Sequence, residues 1–117
     1  MVQVIDHYIT SQSQAAIITG AAIAMHGYSR LFVTTQWTAG DSAAAGTQRV
    51  EGSVDGVNWV ALVDSAAVAL AFSSNPASGG AGASHINVSD VGARFVRVVY
   101  PATTPGTGLY SAQVSLK

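Results

Sequence analysis

Arg49 to Leu62 reads RVEGSVDGVNWVAL. Val50, Gly52 and Val54 alternate with Arg49, Glu51 and Ser53, the two-residue period that places successive side chains on opposite faces of a strand. Asp55 and Gly56 then supply turn residues that tolerate positive φ, and Asn58 can satisfy backbone groups just beyond them. Trp59 opens a second strand, where a large buried ring would clamp the loop to the sheet. Strand, polar turn and strand make a β-hairpin, so this stretch argues for antiparallel sheets. Asp, Gly, Asn and Trp together resemble a ligand loop, but a structural turn (Asp55, Gly56, Asn58) with an anchor (Trp59) accounts for all four.

The same period recurs outside the hairpin. Leu31, Val33, Thr35 and Trp37 fall on one face and Arg30, Phe32, Thr34 and Gln36 on the other. Near the end, Tyr110, Ala112, Val114 and Leu116 oppose Leu109, Ser111, Gln113 and Ser115. RFVRVVY, Arg94 to Tyr100, is a β-branched and aromatic run that stops at Pro101. Further strands are expected at Val2–Ile9, Ala16–Thr19, Ala22–Met25, Trp59–Val63, Ala67–Phe72 and Ser84–Val88. Alanine-rich AAIITGAAIAM, Ala15 to Met25, reads as a hairpin or as a strand bulged at Gly20, because Ile and Thr favour strands. Turn clusters at 38–46, 73–82 and 101–108 separate the runs. Many short strands at close spacing predict an all-β fold: one antiparallel β-sandwich over 1–117, of jelly-roll type, with 1–30 as an interaction segment contributing edge strands.

Composition narrows the function. The chain has 117 residues, of which only 9% are charged against about a quarter in ordinary domains, and a formal net charge of -1. That balance supplies no electrostatic reason to bind nucleic acid or an anionic membrane, and neither is expected as a partner. There is no cysteine, which excludes disulfides and thiolate metal sites. The first residues lack the basic and apolar segments of a secretory signal, and Ala15–Met25 is shorter than the roughly 20 residues that cross a bilayer.

Catalytic chemistry finds no motif. His7, His26 and His85 share no HxH or HxxxH spacing with which to hold a metal alongside Asp6, Asp64 or Asp90. Asp41, Glu51, Asp55, Asp64 and Asp90 form no DxDxDG loop, and aspartates in small β proteins usually serve turns. No GxSxG elbow marks a serine nucleophile, and SGGAG, Ser78 to Gly82, is not followed by a lysine and a helix as a phosphate loop would be. No catalytic residue, metal or cofactor is expected. Arg94 and Arg97, three apart on a strand, point to opposite faces, so one of them should pair with Glu51 or Asp90.

Two resemblances carry further. GSVDGVNW followed by ARFVRVVY resembles the discoidin-type jelly rolls, but the cysteine pair and hydrophobic spikes of that family are missing, so its ligand site does not transfer. From Leu31 onward, FVTTQWTAG, GTQRVEGSVDGVNWVAL and GARFVRVVYPATTPGTGLYSAQVSLK are similar to small structural proteins of tailed bacteriophages, several of them capsid decoration or cement proteins. That resemblance implies a non-enzymatic virion protein, made in the host cytoplasm and seated on the capsid surface as a homo-oligomer, a trimer by preference, against the major capsid protein. Trp37, Arg94, Arg97, Tyr100 and Tyr110 are the candidate buried or interface residues, and Met1–Ile9 could add a strand to a neighbour's sheet. The rival expectation is a carbohydrate-binding or host-adhesion module of a tail or fibre, using the three turn clusters around an exposed aromatic such as Trp37 or Tyr110.

Overall fold

The computed structural model describes residues 2–40, 45–64, 66–77, 79–104 and 106–117. Eleven strands order along them: β1 (Gln3–Ser13), β2 (Ile18–Thr19), β3 (Ile23–Ala24), β4 (Leu31–Trp37), β5 (Ala45–Gly46), β6 (Arg49–Ser53), β7 (Val60–Ala61), β8 (Gly82–Val88), β9 (Phe95–Tyr100), β10 (Ala102–Thr104) and β11 (Leu109–Leu116). One sheet runs β1-β11-β4-β8; the other runs β2-β9-β6-β7, with β3 also on β9, and every pairing is antiparallel. If β2 and β3 count as one strand, and the short β5–β10 pair is set aside, this order is that of a jelly roll: first strand beside last, third and sixth completing one sheet, and the remaining four forming the other.

The interior follows the alternation. Leu31, Val33, Thr35 and Trp37 of β4 and Tyr110, Ala112, Val114 and Leu116 of β11 all face inward and are buried. They meet Val96, Val98 and Tyr100 of β9 and Val50 of β6 from the opposite sheet, and Tyr100 stacks on Tyr110 at 5.1 Å between ring centroids. Burying this many branched and aromatic side chains is the main stabilising contribution, since each fully buried one contributes about 1.5–3 kcal/mol. The Tyr110 hydroxyl donates to Gln48 Oε1 in the interior, and burial pushes its pKa up.

The alanine-rich segment is the bulge and not the hairpin. Ile18 and Thr19 pair with Tyr100 and Val99, Ile23 and Ala24 with Val96 and Phe95, so the register slips by one residue between them. Tyr8 of β1 fills the gap: its hydroxyl accepts the Val98 N–H at 3.2 Å and donates to the Ala21 carbonyl. Gly20 lies against that ring, and a methyl group there would collide with the hydroxyl. Burial pushes the Tyr8 hydroxyl up to about 12.

Several strand expectations need correction: Ala16–Thr19 and Ala22–Met25 shrink to Ile18–Thr19 and Ile23–Ala24, and the turn clusters 38–46 and 101–108 contain the paired strands β5 and β10. Trp59–Val63 shrinks to Val60–Ala61, and Ala67–Phe72 contributes only a bridge from Ala69 to Val63. The cause is a tight turn: the Asp64 carboxylate accepts the Ala66 and Val68 N–H groups, and Ala67 takes a φ of 61°. In the other direction, β1 extends to Ser13 by shifting register twice along β11.

Candidate functional site

The hairpin that follows β6 is built around the Asp55 side chain, with Ser53 Oγ accepting the Gly56 N–H at 2.8 Å. Asp55 Oδ1 accepts the Ser53 hydroxyl at 3.0 Å and the N–H groups of Val57 and Asn58 at 2.9 and 2.8 Å, while Oδ2 accepts Asn58 Nδ2 at 2.6 Å. These bonds, the Asn58 N–H foremost, hold the carboxyl well below its usual range. Gly56 alone in this loop takes positive φ, at 76°. Asp55, not Asn58, therefore satisfies the backbone here, and both of its carboxylate oxygens are engaged within the loop.

Trp59 sits outside the core. Its ring is half-buried against the outer face of the second sheet, Nε1 donates to the Gly56 carbonyl, and the Arg97 guanidinium stacks over it at 4.2 Å. Register explains the arrangement, because Glu51 of β6 lies directly opposite Arg97 of β9. Glu51 is buried between two cations, Arg49 Nε on Oε2 and Arg97 on Oε1, each at 2.8 Å. Burial alone would push its carboxyl up; the hydrogen bonds and charges of Arg97 and Arg49 outweigh it and hold the pKa below its ordinary value. Arg94 is exposed beside the Phe95 ring.

Residues 54–68 carry a rim of exposed valines. Val54, Val57, Val60, Val63 and Val68 are all exposed, Val57 by 77%. Val54 and Val60 line an open groove of about 380 Å³ with Gly52, Leu62, Gly92 and Ala93. The sequence period could not reveal the rim, because the loop 54–59 has no strand geometry and the groove's far wall comes from residues 92–93.

The remaining candidates disperse. Trp37, Tyr100 and Tyr110 are interior, so neither Trp37 nor Tyr110 can be the exposed aromatic of a sugar site. His7, His26 and His85 are exposed, and among the described residues no three His, Asp or Glu side chains converge. Asp64 caps its own turn; Asp41 and parts of all three turn clusters lie outside the described residues. An exposed aromatic does occur elsewhere: Phe32 of β4 and His85 of β8 stand side by side on the outer face of the first sheet, 6.0 Å between ring centroids.

No protein-family model matches the chain, and no curated protein matches it. Among solved structures it is similar to the PBSX exported protein XepA, with a TM-score of 0.61 and 13% identity over 99% of this chain and 36% of that one. It is similar to the SPBc2 prophage-derived protein YomS, with a TM-score of 0.59 and 10% identity over 99% of this chain and 92% of that one. A chain in the structure of infectious bursal disease virus Gx strain gives a TM-score of 0.58 and 10% identity over 99% of this chain and 31% of that one. The chain thus spans about a third of XepA and of the viral chain, and nearly all of YomS. At these identities the likeness is one of fold.

Proposed function

We propose that the chain is a non-enzymatic structural protein of a phage particle, a jelly-roll module that seats on the capsid surface as an oligomer, a trimer by preference, and stabilises the shell. The valine rim carries this reading. Five exposed valines, two of them lining an open groove, leave unburied area that association would remove from water, at about 25 cal/mol per Å². The loop presenting two of them, Val54 and Val57, is already fixed by Asp55, so docking orders little further chain. The ion pairs beside it are satisfied internally by Glu51, and they need not be broken to bring a neighbour close.

Such a protein needs no reaction centre. It acts by binding assembled capsid subunits more tightly than free ones, which shifts the equilibrium toward the shell. The phage setting is supported by the shared fold with an SPBc2 prophage-derived protein and a PBSX exported protein, beside the virion-protein resemblance of the sequence. Sedimentation of the wild type and of a Val57→Asp, Val60→Asp variant tests the reading. The wild type should sediment as an oligomer; the variant should sediment as a monomer with stability unchanged to within about 0.5 kcal/mol. A wild type that is monomeric and does not bind shells of the capsid protein would refute it.

A further inference from the structure

The first sheet has an uncovered outer face of unusual composition. Ser115, Phe32 and Asn87 stand in one row across β11, β4 and β8; Gln113, Thr34 and His85 in the next; Ser111, Gln36 and Ala83 in the third. All nine are exposed or half-exposed, and none is Lys, Arg, Asp or Glu; the fourth strand, β1, extends the first row with Val4, opposite Ser115, and carries the exposed Asp6 two residues on. Gln113 Oε1 accepts both Thr34 Oγ1 at 2.9 Å and Gln36 Nε2 at 2.8 Å, which fixes three side chains on two strands. Beyond the first row the face ends in a shallow pocket of about 230 Å³, where Phe32, Asn87 and Ser115 meet Arg30, Lys117 and Val2. The chain has five Lys and Arg in all. Two of them pair with the single carboxylate of Glu51, whereas Arg30 and Lys117 make no ion pair among the described residues and share this pocket with no Asp or Glu in its lining.

We infer that this face binds a polysaccharide bearing carboxylate groups. A pyranose offers an apolar face of C–H groups and a rim of hydroxyls that both donate and accept. Phe32 and His85 present ring surface to the former, and amides, which also donate and accept, meet the latter. Arg30 and Lys117 receive a carboxylate at one end of the face, a charge-assisted contact that a neutral sugar lacks. A nucleic acid would need cations along its whole track, and the nine side chains of the three rows supply none. A protein partner would favour an apolar centre, which the Gln, Thr, Ser and Asn of these rows do not form. The site is separate from the valine rim, so particle attachment and glycan capture are independent properties of the two faces.

Calorimetry or amide-shift titration of the whole chain with alginate oligosaccharides tests this, with dextran oligosaccharides of equal length and poly-glutamate as comparisons. Alginate should bind at least about tenfold more tightly than either, since dextran lacks the carboxylate and poly-glutamate the ring. Phe32→Ala and a combined Arg30→Ala, Lys117→Ala variant should each weaken alginate binding about tenfold or more, while Val57→Asp, Val60→Asp leaves it unchanged. Equal binding of poly-glutamate, equal binding of dextran, or alginate binding that survives Phe32→Ala overturns the inference. Amide shifts on β4, β8 and β11 of each unliganded variant establish that its sheet is intact.

Discussion

Replacing Tyr8 by Phe isolates one hydroxyl at the place where the second sheet's edge pairing on β9 slips. The ring stays, and with it the packing against Gly20; what leaves is the acceptor of the Val98 N–H and the donor to the Ala21 carbonyl. Ala21 is exposed, so water replaces the lost donor, but Val98 is 1% exposed and its N–H is left without a partner. An orphaned buried donor costs about 1–3 kcal/mol. An unfolding entropy of about 0.25 kcal/mol/K for 117 residues turns a loss of about 2 kcal/mol into a fall in Tm of about 8 °C. Thermal and urea unfolding followed by circular dichroism give the stability, and amide exchange gives the local effect, which should be fastest at Val98. A variant within about 0.5 kcal/mol of wild type, with the Val98 amide still protected, would show that the hydroxyl does not complete the bulge.

Three further outcomes follow from the same structure. Glu51 has a folded pKa below its ordinary value of 4.5, so the stability it contributes is present above that pH and is lost as pH falls through the lower folded value; Glu51→Gln should cost about 2 kcal/mol at neutral pH and flatten the acid limb of a stability-versus-pH curve. Tyr8 is raised from 10.0 to about 12, and Tyr100 and Tyr110 are raised with it, so their stabilising contribution is intact below pH 10.0 and is lost as pH rises above it through the raised folded values, which alkaline unfolding followed by circular dichroism reads as a falling Tm. Trp59→Ala should cost about 1–2 kcal/mol, less than the roughly 3–5 of a core tryptophan, because its ring is half-exposed and held by Arg97; a loss of core size in urea unfolding would place the ring inside the sandwich after all.

How much of this was legible in the sequence depended on how local the cause was. The inward sets of β4 and β11 follow directly from their period, and the two strands pair along their full length. The salt bridge of Glu51 was foreseeable from scarcity: with so few acids, an arginine on a strand needs one of them. Trp59 shows the limit, since a tryptophan opening a strand looks the same whether it faces the core or lies beneath Arg97, and only the register of β6 on β9 decides. Tyr8 shows another, because its partners Ala21 and Val98 lie 13 and 90 residues away and no period connects them. The outer face of the first sheet was half visible: Phe32, Thr34 and Gln36, and Ser111, Gln113 and Ser115, were assigned to one side of their strands. That they form one surface with His85 and Asn87 required the strand order.

The central claim is that this chain is a structural part of a phage particle, held there through the valine rim. A cryo-electron map of the particle from the phage that encodes the chain tests it most directly. The map should show copies of the jelly roll in oligomeric contact on the shell, with Val54, Val57 and Val60 covered by a neighbouring subunit. A particle that lacks the chain, or one in which the valine rim faces solvent, would contradict it.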